Sequence, residues 1–332
     1  MKREEFNFIN NYLNELALYI FKSNDIEKYY YNFLLLNDKY YDYIKKRYFS
    51  ESNTYNCNTR DNNLEFSDII SIAREIIESI NTDYLKEFDS LLDNGRLNFI
   101  YEDKYTTSYV EHVRKGNIWE KNINIGRYYN YTDVELLIHE FMHYVSGTGF
   151  EFKNSVVTEF ISIYFELYAN EYIYKKYKPN LNEISYNQRL LSNFERSKEL
   201  CSTEVPIFIY SRFGNLDKNS YKLVNKYIFE YTKKNYENEC KELLKFIQKD
   251  DKICSNHFYQ MAMFLAFYVR KTNSMKNVIR LANDYSLPEN QRLNIFEELE
   301  KYNIHIDADI YNVLFDAIDE YLDIFDEKKK QR

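Results

Sequence analysis

The chain has 332 residues, a formal net charge of −8 and 45% hydrophobic residues. That length allows one large core or two domains. Acids and bases are interspersed, and the one strongly basic run, Lys328-Lys329-Lys330-Gln331-Arg332, reads as a solvated tail, so no nucleic-acid partner is expected.

The N-terminal sequence MKREEFNFINNYLNELALYIF lacks the apolar stretch of a signal peptide, and no apolar run anywhere is long enough to span a membrane. Cys57, Cys201, Cys240 and Cys254 show no CxxC spacing. Reduced thiols in a cytoplasmic protein are the expectation, with no membrane partner. Only 6 Gly and 3 Pro punctuate the chain, which favours long helices. Phe6, Ile9, Tyr12, Leu13 and Leu16 recur at helical spacing, and a second helix fits Ile26 to Phe49. The polar stretch Glu51 to Asn63 reads as a loop. Ser67 and Asp68 can start a third helix that runs through Ile69, Ile70, Ile72, Ile76 and Ile77 and closes near Asp93-Asn94-Gly95.

From Arg96 to Tyr129 the pattern alternates and carries turn signals. It predicts about three short antiparallel strands, with a hairpin turn at Arg114-Lys115-Gly116-Asn117. Helices resume after Asn130, and Pro179, Pro206 and Pro288 mark helix boundaries.

Residues Leu136 to Gly147 read LLIHEFMHYVSG. Thr132 or Asp133 can cap a helix through this stretch. His139 and His143, four apart, lie about 40° from one another on such a helix, one turn up, where two imidazoles can share one metal ion. Glu140, about 100° round from His139, can reach a water on that metal. Zinc lowers the pKa of such a water to about 7, and the glutamate takes the proton. The plain alternative is an ordinary buried helix with satisfied histidines, since Leu136, Leu137, Ile138, Phe141 and Met142 make it apolar in any case.

A zinc hydrolase needs a third protein ligand and an open fourth position. No further histidine follows within the next helix, Asn154 to Ile173, which offers Glu159, Glu166 and Glu171 instead. Glu159 and Glu166 are seven apart and share one face, among apolar neighbours such as Val156, Val157, Phe160 and Ile163. One could bind the metal, and the other could hold a ligand histidine from behind. In a competing register Asn154 precedes Ser155 where a ligand would stand, and Glu159 falls four further on.

Three segments together resemble the oligoendopeptidase F / thimet oligopeptidase family of zinc metallopeptidases. They are NYTDVELLIHEFMH (Asn130 to His143), the Glu-x-x-Ser-x-x-x-Glu pattern from Glu159 through Ser162 to Glu166, and Asn256-His257-Phe258-Tyr259. The resemblance implies a mainly α, zincin-like fold with a small antiparallel sheet before the zinc-binding helix. It implies zinc held by His139, His143 and Glu159, with Glu166 supporting a ligand. Glu140 is then the general base, and His257, with Tyr259, stabilises the oxyanion during hydrolysis of short peptides. Residues 1–95 are expected as an N-terminal helical region and 96–332 as the catalytic region, in one compact unit. An extended peptide can add to a sheet edge, for which Asn122 to Tyr129, with Gly126, is the candidate strand.

The chain departs from the family pattern at Met142 and Ser146, where a glycine and a histidine are usual. The segment after His257-Phe258-Tyr259 reads QMAMFLAFYVRK, where most of the family's tyrosine positions are apolar and the polar groups left are Tyr259 and Tyr268. A second reading follows from this: a homologue that binds zinc and a peptide or protein without efficient cleavage. His112 and His305 have no partners in sequence.

Overall fold

Ile69, Ile72, Ala73, Ile76, Ile77 and Ile80 recur at three- and four-residue steps, and all six are buried on helix α1 (Phe66–Ile80). The computed structural model describes residues 64–100, 108–115, 118–146, 152–177, 255–285, 295–306 and 310–324. The helices expected around Phe6 to Leu16 and Ile26 to Phe49, the loop Glu51 to Asn63, and the boundaries at Pro179, Pro206 and Pro288 lie outside the described residues.

The expected single helix from Ser67 to Asp93 is two helices. Glu65 stands at the N-cap, and its backbone N–H donates to the Asp68 carboxylate at 3.1 Å, so Asp68 sits inside the first turn. The chain then breaks at Asn81, whose backbone is extended at φ −162° and ψ 128°. Its Oδ1 accepts the Asp83 N–H at 2.9 Å and so caps helix α2 (Thr82–Asp93). Periodicity missed the break because apolar spacing continues across it: Tyr84, Phe88 and Leu91 are buried on α2. The predicted stop holds. Gly95 adopts φ +62°, its N–H reaching the Leu92 carbonyl and that of Arg96 the Leu91 carbonyl, each at 3.0 Å.

Three strands follow: β1 (Leu97–Ile100), β2 (Tyr109–Lys115) and β3 (Ile118–Gly126), in the sheet order β1-β3-β2. The β2–β3 ladder is antiparallel and its last pair, Lys115↔Ile118, falls at the predicted turn. The expectation of an all-antiparallel sheet is corrected by β1, which pairs parallel to β3 from Leu97↔Ile123 to Ile100↔Gly126. Alternation shows which side chains share a face, not which strand is the neighbour. Here β3, with Ile123 and Ile125 fully buried, takes the central place, and β1 docks on its far side rather than against β2.

That order also overturns the expected role of Asn122 to Tyr129 as a free edge. Ile123 and Asn124 are paired on both sides, and the Gly126 N–H donates to Ser108 Oγ at 3.1 Å. The edge strands are β1 and β2.

Helix α3 (Tyr131–Ser146) follows the sheet, and its cap is Asn130 rather than Thr132 or Asp133. Asn130 Oδ1 accepts the Thr132 N–H at 2.8 Å. Asp133 instead reaches back. Its carboxylate, fully buried, accepts the N–H groups of Tyr128 at 2.6 Å and Tyr129 at 3.1 Å and lies 3.3 Å from Arg127 Nε. Those contacts hold Tyr129 at φ 61°, a left-handed conformation uncommon for a bulky residue. Arg127, almost as buried, stacks on the rings of Phe99 and Tyr129. Replacing Asp133 with Ala strands a buried guanidinium and two N–H groups, so a loss of about 3–5 kcal/mol in unfolding free energy is expected. Urea unfolding checks this, and a change well under about 1 kcal/mol would show the contacts to be dispensable.

Helix α4 (Phe152–Tyr177) packs along α3, and α5 (Ser255–Thr272) packs along α4. Helices α6 (Met275–Tyr285), α7 (Ile295–Lys301) and α8 (Ile310–Asp323) complete the described chain. The α3 side of the core is aromatic: Phe141 meets Phe88 edge-on at 5.4 Å and Tyr84 at 6.4 Å. Polar ties cross the seams. The Tyr84 hydroxyl donates to Asn283 Oδ1 at 2.7 Å, Lys176 to Glu75 at 2.7 Å, and Arg270 pairs with Glu171. Among the described residues the chain is mostly helical with one small sheet, and no helix there is long and apolar enough to cross a membrane.

Candidate metal centre

Helix α3 turns His139 and His143 to one side, as four-residue spacing requires. Their Nε2 atoms stand 3.2 Å apart, with the rings edge-to-face. From α4, Glu159 closes the triangle. Its Oε2 lies 3.5 Å from His139 Nε2, and its Oε1 lies 3.4 Å from His143 Nε2. These three side chains could hold a metal ion.

No family model, curated protein or solved structure matches the chain.

The donor set fits zinc on its own chemistry. Tetrahedral zinc with bonds near 2.0–2.1 Å has donor–donor edges of about 3.3 Å, close to the separations found here. Glu159 Oε2 is also a buried oxygen with no hydrogen-bond partner. An unpaired buried carboxylate oxygen is costly unless a cation or donor meets it.

Glu166, two turns beyond Glu159 on α4, places its Oε2 2.9 Å from His139 Nδ1. A carboxylate only accepts, so Nδ1 carries the proton and donates. That leaves His139 Nε2 as the ring atom facing His143 and Glu159, whose lone pair a metal could take once its proton is displaced. The same bond fixes the ring's orientation and raises its basicity as a ligand.

The charges reinforce the geometry. Burial alone would push His139 down, but the Glu159 and Glu166 carboxylates beside it outweigh that and push it up to about 10. Burial alone would push Glu159 up, but the charge on His143 and the bonds from both histidines hold its carboxyl far below the usual range. In the metal-free centre, therefore, His139 carries a proton that a metal must displace. Zinc uptake near pH 7 is expected to release about one proton, and affinity should climb as pH rises toward 10. Calorimetric titrations in buffers of different ionisation enthalpy count that proton, and a count near zero would contradict the pairing.

Glu140, next to His139 in sequence, is 6% exposed. Among the described residues its carboxylate makes no hydrogen bond, and burial raises its pKa despite the attraction of His139 and His143. A carboxyl group held ready but uncommitted beside a metal centre suits proton transfer. The centre is not sealed. The side chains of Glu159 and Glu166 keep 16% and 15% of their surface exposed, so solvent reaches the carboxylate side.

The sequence-derived residues His139, Glu140, His143, Glu159 and Glu166 thus converge. Glu171 does not join them, being engaged with Arg270 and Lys175. His257 and Tyr259 belong to the opening turns of α5, but their side chains lie outside the described ones. Tyr268, on the same helix, is buried at 1% exposure. His112 lies on β2 opposite Lys121, and His305 is exposed, so neither joins the cluster. The residue that sequence reasoning misassigned is Asp133, which anchors α3 to the end of β3. The signal was Arg127, a cation close before an acid in the first helical turn, flanking two tyrosines.

Proposed function

We propose that the chain is a zinc-dependent peptidase of the oligopeptidase type, hydrolysing short peptides. One observation carries the reading: the His139–His143–Glu159 triangle with an uncommitted Glu140 beside it. His139, His143 and Glu159 would hold zinc. When bound, zinc supplies Lewis acidity, which lowers the pKa of water to about 7 and polarises a carbonyl. Glu140 takes the proton from the attacking water and passes it to the leaving amine. Its burial raises its pKa toward the working pH, which favours that second transfer. Glu166 keeps His139 in the tautomer that binds metal. His257, with Tyr259, is the proposed oxyanion partner on the strength of its sequence context. A cytoplasmic location fits the sequence.

The test combines elemental analysis of the purified protein with digestion of a diverse peptide library followed by mass spectrometry. Stoichiometric zinc, cleavage stopped by a chelator and cleavage restored by zinc are the expected results. Absence of zinc after mild purification and reconstitution would sink the proposal.

A second reading, zinc and peptide binding without efficient cleavage, has its own support. Every residue from Ala262 to Val269 on α5 is buried, and the one tyrosine among them is packed inside. Among the described side chains of this helix, Tyr268 is therefore the only tyrosine, and it is buried. Stoichiometric zinc with no cleavage of any library peptide would favour this reading over the first.

A further inference from the structure

We infer that Ser162 is a positioning residue for the metal ligand Glu159, donating its hydroxyl to the carboxylate oxygen that the metal leaves free. The inference rests on the metal reading above. Ser162 is completely buried on α4, and its Oγ has no hydrogen-bond partner. A buried helical serine ordinarily satisfies itself on the carbonyl four residues back, as Ser146 does on Met142 at 2.7 Å. Ser162 makes no such bond to Thr158, so its proton is uncommitted.

Three residues back on the same helix, Glu159 Oε2 is a buried oxygen that also lacks a partner. The two residues are three apart on α4, about 60° from one another around the axis. Helical side chains lean toward the N-terminal end, so Ser162 covers the turn that carries Glu159. Two buried polar atoms on adjacent turns of one face, one an acceptor and one a donor, therefore both lack partners.

Metal binding explains why both persist. A carboxylate that gives one oxygen to a metal keeps a second oxygen with partial charge in a buried place. In the metal-free centre each histidine faces its own Glu159 oxygen, His139 at Oε2 and His143 at Oε1. With a metal bound, both Nε2 atoms are occupied and the free oxygen needs another donor. Ser162, three residues on along the same face of α4, is the candidate donor. Glu166 is the poorer recipient because its Oε2 already accepts from His139.

The test is zinc affinity of the full chain by competition with a chromophoric chelator. It compares wild type, Ser162→Ala and Ser162→Cys, with thermal unfolding of the metal-free proteins alongside. Ser162→Ala should weaken zinc binding on the order of 10-fold. Ser162→Cys, a weaker donor, should fall between alanine and wild type. The metal-free alanine variant should melt no lower than wild type, because the lost hydroxyl had no partner there. The visible spectrum of the cobalt-substituted alanine variant should shift, reporting a reoriented carboxylate. Equal zinc affinity in wild type and Ser162→Ala overturns this inference and leaves the metal reading standing. A lower melting point of the metal-free alanine variant overturns it too, by showing an ordinary structural hydroxyl. Wild-type protein that takes up no zinc overturns both.

Discussion

Glu140→Gln is expected to lower kcat/KM for any cleaved peptide by about 10²- to 10⁴-fold while zinc content stays at wild-type level. The substitution keeps shape and removes only the ability to take a proton. Zinc should stay because Glu140 makes no hydrogen bond to His139, His143 or Glu159. Stability should hold or improve. Burial raises the Glu140 pKa, so its charged form sits uncomfortably in the folded chain, and a neutral amide relieves that. Three measurements decide it: peptide turnover, elemental zinc and thermal unfolding. Full turnover in the variant would remove Glu140 from the mechanism. Loss of zinc with turnover would instead assign it to metal binding.

Removing the ligand carboxylate gives the second large effect. Glu159→Gln is expected to cut zinc affinity by more than the roughly 100-fold attributed to residues that merely support a ligand. The amide retains volume but loses the charge that faces both histidines at 3.4–3.5 Å. Alanine is the worse choice, since breaking a buried charge pair costs about 3–5 kcal/mol and would confuse misfolding with metal loss. In the glutamine variant Glu166 still accepts from His139 Nδ1, so α3 and α4 stay joined without metal. Circular dichroism should be unchanged, and the zinc-dependent rise in melting temperature should disappear. Zinc binding at wild-type strength would show that Glu159 is not a ligand.

The clustering of the candidate metal centre was legible in sequence because helical geometry converts spacing directly into direction. His139 and His143 had to share a face, and so did Glu159 and Glu166. Which of the two glutamates faced the histidine Nε2 atoms was not fixed by spacing alone. The structure separates them by nitrogen, Glu166 on Nδ1 and Glu159 at the two Nε2 atoms. The reading failed where a single polar side chain decides the outcome. Asn81 breaks a helix that the isoleucine pattern carries straight through, and Asn130 takes a cap that Thr132 and Asp133 could equally have supplied. Strand partners were also hidden. Ile123 and Ile125 announce a buried strand, but nothing in their alternation says that β1 will lie parallel beside it.

The Asp133 contacts bind the end of β3 to the first turn of α3, so sheet and histidine-bearing helix form one lever. The three donor atoms meet at the seam that α3 makes with α4. An ion held there would tie that seam together as well. Metal supply would then bear on the stability of the molecule as well as on its chemistry.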